Sequence, residues 1–318
     1  MRRLKTILWL VVVALLAGIY FYETHEEKEG RILELEKRRL FQIGPAQIKV
    51  MRLKRGRQSV LFERDQESGK NLWYIKSPIK AKADPETVKE ILNTLASLHY
   101  ERLISTEEPE DMGQFGLDHP KLTVSIIFEN GEGILEIGRK TPIGDAYYAK
   151  REGRPEVFTI PDHVVATLDR DLFELRNKRL FNVSYGQVEE VLLWRDSKRW
   201  RFIRRDGRWY LEEPKHLSEK VIDQERVTTI IRSFIEAKAT SFEEGEREAL
   251  AAMGLQKPKA GVAIKAQEAV EQLLFGDPFP GHKSKIYARV LPQGMVVTVD
   301  TWLFRQIPLH ENLFLATM

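Results

Sequence analysis

The chain has 318 residues, which is enough for about two domains of ordinary size. Its 50 basic and 47 acidic residues leave a net charge of only +3, a balance that is not typical of nucleic-acid-binding proteins. The sequence contains no cysteine, which excludes disulfides, thiolate catalysis, thiolate metal sites and lipid attachment through an N-terminal cysteine.

The first 22 residues have the pattern of a membrane anchor. Arg2, Arg3 and Lys5 flank an uncharged apolar run, and the segment 4–22 has 19 residues, close to the roughly 20 that a helix needs to cross a bilayer. A cleaved signal peptide is the alternative, but no small-x-small cleavage site follows the apolar run. We therefore expect residues 1–22 to form an uncleaved transmembrane helix.

The charges around this segment predict its orientation. The leading tail is basic, whereas the segment 23–27 that follows the apolar run contains no Lys or Arg. The positive-inside rule then places the N-terminus in the cytoplasm and the rest of the chain outside. We expect a single-pass protein of the bacterial inner membrane with a periplasmic main domain. Residues 23–43 are mostly charged and are predicted to be a solvated juxtamembrane spacer.

Beyond the spacer, short segments of alternating apolar residues predict two sets of β-strands. The first set is 48–53, 60–62, 72–75, 122–128, 134–137, 146–149 and 157–160, and the second is 188–194, 200–203, 209–211, 261–264, 272–275, 286–290 and 295–299. Asp206 and Gly207 form a strong hairpin-turn signal between two strands of the second set. Few helices separate the strands, which favours antiparallel pairing.

The two sets belong to an internal repeat. Three segments recur in the same order at offsets of 136, 138 and 139 residues: Leu72–Pro78 as Arg208–Pro214, Gly116–Pro120 as Gly254–Pro258, and Tyr148–Lys150 as Tyr287–Arg289. Ordered matches with such a small drift indicate a tandem duplication. We place the first repeat at 44–183 and the second at 184–318.

Each repeat also contains one predicted amphipathic helix. Asp84 followed by Pro85 matches an N-cap and a first-turn proline, and apolar residues follow at helical spacing. Asp223 begins the second copy of this helix. We therefore predict the α+β class, with an N-terminal transmembrane helix followed by two tandem, internally duplicated, mostly antiparallel sheet-plus-helix units.

The residues that the copies share are types that shape the backbone or fill a core. They are a strand tryptophan, a strand-ending proline, a helix-capping aspartate and a Gly-Leu-x-x-Pro turn: Trp73, Pro78, Asp84, Gly116, Leu117 and Pro120, with Trp209, Pro214, Asp223, Gly254, Leu255 and Pro258. We interpret them as structural rather than catalytic.

A basic, aromatic-rich hairpin is present only in the second copy. Its seven basic residues are Arg195, Lys198, Arg199, Arg201, Arg204, Arg205 and Arg208. They could bind anionic lipid, acidic polysaccharide or an acidic partner surface. Alternatively, their aliphatic stems cover a hairpin whose tryptophans lie in the core. The recurrence of the tryptophans favours this second interpretation.

Catalytic, cofactor and metal sites are not predicted. The segment Gly133–Thr141 nearly matches a phosphate-binding loop, but Arg139 separates the second glycine from the lysine, and the pattern favours a strand that ends at a turn glycine. The histidines lack metal-site spacing, and no Gly-x-Ser-x-Gly element is present. We expect a non-enzymatic protein with no cofactor, metal or nucleic acid.

Several features together resemble the DUF4340 family, a bacterial domain family of unknown function. In chain order they are the anchor, Leu40–Phe41, Trp73–Pro78, Asp84 with its helix, Phe115–Pro120, Gly138 and Tyr147–Tyr148. The most specific match is Gly-Leu-Asp-x-Pro at Gly116–Pro120. Genes of this family commonly lie beside those of ABC-2-type transporters, including a gliding-motility-type auxiliary subunit. The resemblance therefore implies an envelope protein and membrane-protein partners, and it transfers no catalytic residue.

Three functions follow as hypotheses from these observations. The first is a membrane-anchored, non-enzymatic accessory component of an ABC-2-type transport system, attached to the cytoplasmic membrane through residues 4–22. The second is a stand-alone periplasmic module that binds anionic lipid or polysaccharide in a cleft between the repeats. The third, an envelope enzyme, depends only on the same cleft.

Overall fold

The computed structural model describes residues 34–65, 71–243, 249–310 and 313–315. The predicted transmembrane helix at 1–22 and the first part of the predicted spacer lie outside the described residues. Within the described ranges, no helix is long and apolar enough to cross a membrane. The chain divides into two compact units with the boundary between Asn177 and Lys178, ahead of the predicted boundary between residues 183 and 184.

The first unit is an antiparallel sheet with helices. Its elements are β1 (Ile48–Arg55), β2 (Gln58–Arg64), β3 (Trp73–Ser77), β4 (Ala81–Lys82), α1 (Pro85–Ala96), β5 (Arg102–Ser105), β6 (Leu122–Phe128), β7 (Gly131–Lys140), β8 (Ala146–Arg151), β9 (Val157–Pro161), α2 (Asp162–Leu168) and α3 (Leu172–Leu175). The strand order is β4-β3-β2-β1-β6-β7-β8-β9-β5. The strands β1–β4, which precede α1, and the strands β6–β9, which follow it, therefore join where β1 pairs with β6.

The second unit repeats this arrangement. Its elements are β10 (Val188–Arg195), β11 (Lys198–Arg205), β12 (Arg208–Glu213), α4 (Gln224–Ile235), β13 (Ser241–Glu243), α5 (Ala249–Ala252), β14 (Ala260–Ala266), β15 (Ala269–Pro278), β16 (Lys285–Leu291), β17 (Met295–Asp300) and α6 (Thr301–Arg305). The order β12-β11-β10-β14-β15-β16-β17-β13 matches the first sheet, except that the described residues of this unit include no strand equivalent to β4. The predicted tandem, mostly antiparallel α+β architecture is confirmed.

Both predicted helix starts are confirmed. The side chain of Asp84 accepts a hydrogen bond from the backbone N–H of Thr87 at 3.0 Å, and Asp223 accepts one from Arg226 at the same distance. A cap of this kind contributes about 1 kcal/mol, because it satisfies a backbone donor that has no partner inside the helix. Pro85 occupies the first turn of α1, as predicted.

Each unit has its own hydrophobic core between one face of its sheet and one helix. In the first unit, α1 buries Val88, Ile91 and Leu95 among strand residues that include Met51 and Phe62. In the second unit, α4 buries its apolar face on the corresponding strands. Burial of each large apolar side chain stabilises its unit by about 1.5–3 kcal/mol. The sheet faces that point away from these cores are the ones available for other contacts.

The Gly-Leu-x-x-Pro turn packs against a strand glycine in both units. Gly116 and Gly254 have φ angles of 68° and 69°, in the left-handed region that favours glycine, and the leucine that follows each is buried. A Cβ atom at Gly138 would lie 2.1 Å from the carbonyl oxygen of Phe115. The prediction that a strand ends at a turn glycine here was wrong, because β7 continues through Gly138 to Lys140. Glycine is needed for the close approach of the turn.

Candidate functional site

The seven predicted basic residues all lie on the hairpin β10–β11–β12, but they point in different directions. Alternation along β11 turns Trp200 and Phe202 into the core, with Arg204 on the same side, and places Arg199 and Arg201 on the opposite side. The basic residues therefore do not form one surface.

Arg204 connects β11 with the turn that precedes β10. Its Nη1 donates hydrogen bonds to the carbonyl oxygens of Tyr185, at 3.1 Å, and Gly186, at 3.5 Å. Its guanidinium carbon lies 4.8 Å from the ring centre of Tyr185 and 5.9 Å from that of Trp209. These contacts join β11 to the turn before β10, so Arg204 is not part of an exposed ligand surface.

Arg64 occupies the equivalent position in the first unit. It donates to the carbonyl oxygens of Ala46 and Ile48, and its guanidinium carbon lies 5.7 Å from the ring centre of Trp73. The sequence comparison did not identify this repeated Arg–Trp pair, because the loop between arginine and tryptophan is longer in the first copy. The register of β2 with β3 and of β11 with β12 shows the correspondence of Arg64 and Arg204.

Two more arginines of the hairpin have carboxylate partners. Arg201 donates two hydrogen bonds to Glu190, at 2.7 and 3.0 Å. The hydrogen bond from Arg201 lowers the pKa of Glu190 against the opposing effect of burial, and the same bond raises the pKa of Arg201. Arg205 donates to Glu212 at 2.7 Å. These two cations are therefore balanced within the sheet.

The other four basic residues lie at the two ends of the hairpin. The guanidinium carbon of Arg195 lies 4.2 Å from the ring centre of Phe304, which partly buries it. Lys198 and Arg199 are exposed at one end, and Arg208 is exposed at the other. Because a strand rises about 3.3 Å per residue, the length of β11 separates the two ends by roughly 20 Å. Lys198 and Arg199 are thus separated from Arg208, and Arg205, which is also exposed, is paired with Glu212.

A different surface distinguishes the second unit. We call it the outer face, meaning the side of the second sheet that points away from the core: Leu192, Trp194, Arg199, Arg201, Ile203, Ala263, Leu274 and Arg289. Its apolar members are partly exposed. Cross-strand pairing aligns Arg199, Trp194, Gly261, Leu274 and Arg289 in one row across five strands.

Trp194 lies flat on this surface. A Cβ atom at Gly261, its cross-strand partner, would come within 2.3 Å of the Trp194 ring. An aromatic ring that covers a strand glycine stabilises the pair and presents its other face to the surroundings. Arg199 is the cross-strand partner of Trp194 on the other side. The outer face therefore has an aromatic centre with a cation beside it.

The corresponding face of the first unit has charged residues at two of these positions. Arg52 and Lys54, both exposed, occupy the positions of Leu192 and Trp194, as the matching strand registers show. Apolar side chains at these two positions are thus specific to the second unit, although the first unit has Leu61 and Ile127 elsewhere on the same face.

An ion-pair cluster of the first unit corresponds to a single arginine in the second unit. Lys150 lies 3.7 Å from Glu136 and 3.6 Å from Glu108. The position of Lys150 is taken by Arg289 and that of Glu136 by Leu274. Within the part of the chain that the structure describes, Arg289 has no ion-pair partner, and its Nε is buried without a hydrogen bond.

The shared framework residues occupy equivalent places in both units. Pro78 and Pro214 each follow the last residue of a strand, β3 or β12, as predicted, and both follow a cis peptide bond. Trp73 and Trp209 are buried in these strands. Pro120 and Pro258 close the Gly-Leu turns ahead of β6 and β14.

The repeats match one known family. The model of a domain of unknown function, DUF4340, matches residues 73–222 and again 209–317, and each match begins at the equivalent strand tryptophan. The chain belongs to the DUF4340 family. No curated protein and no solved structure matches the chain. Each match begins at the third strand of a sheet, and the first match continues through β12 of the second unit.

Among the described residues of this DUF4340 protein, no group of three or more His, Asp or Glu side chains is placed to hold a metal ion. The outer face of the second unit is therefore the candidate site whose features are best defined. Its chemistry suits noncovalent binding: an aromatic ring, aliphatic side chains and cations at their edges.

Proposed function

We propose that this protein is a single-pass, membrane-anchored accessory protein of the bacterial envelope that binds an ABC-2-type transport complex through the outer face of its second sheet. The observation that carries the binding proposal is the difference between equivalent strands. The first unit exposes Arg52 and Lys54 there, whereas the second has the partly exposed Leu192 and Trp194.

The composition of the outer face indicates the chemistry of its partner. Tryptophan and arginine are enriched at the energetically important centres of protein interfaces. Arg289 and Arg199 have no carboxylate partner within the described residues, so a partner surface with carboxylates beside apolar side chains would complement them. An acidic, partly apolar protein surface is the partner we propose.

The remaining parts of the proposal have separate support. The basic tail and apolar segment of residues 1–22 support an anchor with a cytoplasmic N-terminus. The DUF4340 family, through its frequent gene neighbours, supports a transport complex as the partner. A catalytic role has no comparable support, since the recurring residues shape the backbone.

The alternative is a periplasmic module that binds anionic lipid or polysaccharide. It has less support from the geometry, because the exposed basic residues of the hairpin without a carboxylate partner among the described residues are Lys198, Arg199 and Arg208, and these lie at opposite ends. A polyanion is bound most strongly where several cations act together. The outer face combines its cations with apolar side chains instead.

Co-purification from mild detergent tests the proposal. The full-length protein should retain ABC-2-type transporter subunits, identified by mass spectrometry. Leu192→Glu together with Arg199→Glu should remove them, because two carboxylates would replace an apolar contact and a cation. The matched control is Arg52→Glu with Ser59→Glu, the equivalent positions of the first unit, which should retain them. Retention in both variants, or no transporter subunits with the unaltered protein, would contradict the proposal.

A further inference from the structure

The first unit has a slot at a place that a tyrosine side chain occupies in the second unit. A cavity of about 370 Å³ lies beside α1, next to β3 and β4. Its lining includes Pro45, Arg64, Trp73, Lys89 and Asn93. This volume is at the lower end of the range that small-ligand sites occupy, so the slot is large enough for an aromatic side chain.

The same place in the second unit is filled by Tyr185. Its hydroxyl oxygen lies 2.9 Å from Nε1 of Trp209 and 3.1 Å from Oγ1 of Thr228. The guanidinium carbons of Arg204 and Arg232 lie 4.8 and 4.2 Å from its ring centre. The ring is therefore held by two cations and hydrogen-bonded through its hydroxyl.

Every residue that contacts Tyr185 in this way has a counterpart on the wall of the first-unit slot. The strand registers and the two aspartate-capped helices fix the correspondence: Arg204 with Arg64, Trp209 with Trp73, Thr228 with Lys89, Arg232 with Asn93, and Tyr185 itself with Pro45. The first unit thus keeps the arginine and the tryptophan of a tyrosine site, has Lys89 and Asn93 in place of the threonine and the second arginine, and lacks the tyrosine.

The remaining groups are chemically suited to a phenol. Among the described residues, the indole N–H of Trp73 has no acceptor that corresponds to the hydroxyl of Tyr185. The Lys89 side chain is exposed at the slot and offers a second donor where Thr228 stands in the other unit. The Arg64 guanidinium supplies the cation that an aromatic ring can stack on.

We infer that the slot of the first unit binds the tyrosine side chain of a partner polypeptide. Tyr185 shows how such a side chain can enter, because its ring lies in the second-unit site while the turn that carries it lies outside that site. The inference rests on the proposed role in binding a partner protein and adds a second, separate contact to the outer face.

A peptide titration of the full-length protein in detergent tests the inference. The probes are the capped tripeptides Gly-Tyr-Gly and Gly-Phe-Gly and the free phenol p-cresol, with binding measured by calorimetry or ligand-observed NMR. The tyrosine peptide should bind about three- to tenfold more tightly than the phenylalanine peptide, because only tyrosine offers the hydroxyl group. It should also bind more tightly than p-cresol. Equal affinity for the two peptides, or p-cresol at least as tight as the tyrosine peptide, would overturn the inference.

Two variants test the slot by adding a tyrosine to the first unit or removing the tyrosine of the second. Pro45→Tyr should fill the slot as Tyr185 does and reduce binding of the tyrosine peptide at least tenfold. Tyr185→Ala should open the second slot and raise the stoichiometry of peptide binding from one to two. Unchanged binding by folded Pro45→Tyr, or a stoichiometry of one with folded Tyr185→Ala, would contradict the inference even if the other variant does not fold.

The outer face provides the means to separate this inference from the proposed function. The Leu192→Glu, Arg199→Glu variant should lose the transporter subunits and still bind the tyrosine peptide with unchanged affinity. If the protein does not retain transporter subunits, binding of the tyrosine peptide to the slot can still be measured. Failure of the peptide to bind would in turn leave the outer-face result unaffected.

Discussion

Arg204 and Arg199 lie on the same strand, and their surroundings give them different roles. Arg204 bonds to two carbonyl oxygens and lies over two aromatic rings, whereas Arg199 is exposed beside Trp194. Composition alone cannot separate the two residues. Alternation along β11 does so, because it directs them to opposite faces of the sheet.

Arg204→Gln is expected to destabilise the protein by about 1–3 kcal/mol, because it leaves a carbonyl oxygen of the framework without its partner. Arg64→Gln should have an effect of similar size in the first unit. The control is Arg199→Gln, which should change the stability by no more than about 0.5 kcal/mol, as exposed substitutions usually do. Urea unfolding followed by tryptophan fluorescence measures all three. A smaller loss for Arg204→Gln than for Arg199→Gln would show that the framework role is wrong.

The Arg201–Glu190 pair predicts an acid-dependent stability. The pKa of Glu190 is lowered in the folded protein from its ordinary value of 4.5, mainly by the hydrogen bond from Arg201. Its contribution to stability is therefore present above pH 4.5 and is lost as the pH falls through the lower folded-state pKa. Glu190→Gln should reduce the free energy of unfolding at pH 7 and should reduce it by less at pH 3. An equal loss at both pH values would contradict this assignment.

At the level of secondary-structure elements, the Gly-Leu turn and its strand glycine form one unit of packing. The carbonyl oxygens of Phe115 and Met253 approach β7 and β15 so closely that a Cβ on Gly138 or Gly276 would lie 2.1 Å away. The turn and the strand glycine recur together in both units. The turn is therefore fixed to the sheet by backbone packing.

Gly138→Ala and Gly276→Ala should each destabilise the protein by about 1–3 kcal/mol, because the added methyl group overlaps a backbone oxygen. Gly186→Ala is a suitable control, since a Cβ there has no neighbour within 4 Å and φ is not in the left-handed region. Thermal unfolding followed by circular dichroism gives the comparison. Alanine variants at Gly138 and Gly276 as stable as the control would refute the packing role.

Much of the secondary structure could be predicted from the sequence, because the central strands and the two long helices have strong apolar periodicity. The edge strands β4, β5 and β13 could not, since each is short and buries few side chains. The basic residues of the hairpin were identified as a group, but their directions depend on strand register. The outer face and the tyrosine slot were missed because both emerge from comparing the two units in three dimensions.

At the scale of the whole molecule, the duplication combines a common framework with different exposed features. Each unit has its own core cluster, one formed within residues 40–175 and the other within 180–314. Independent cores allow one copy to change its surface without loss of stability in the other. The exchange of Arg52 and Lys54 in the first unit for Leu192 and Trp194 in the second illustrates this freedom.

A fragment of residues 178–318 is expected to fold alone, because its main core cluster lies within that range. It should unfold cooperatively in urea and show the far-ultraviolet circular dichroism of a sheet-rich protein. A fragment that begins at residue 209, where the second family match begins, would lack β10 and β11 and should not fold. Cooperative folding of the shorter fragment would show that these two strands are dispensable to the core.

Site-specific photocrosslinking in living cells tests the central claim, that the outer face binds a partner protein, most directly. A photoreactive phenylalanine analogue at position 192 should crosslink to an ABC-2-type transporter subunit, whereas the same analogue at position 52, its first-unit equivalent, should not. Crosslinks from position 52 alone, or from neither position with both proteins folded and membrane-associated, would contradict the account.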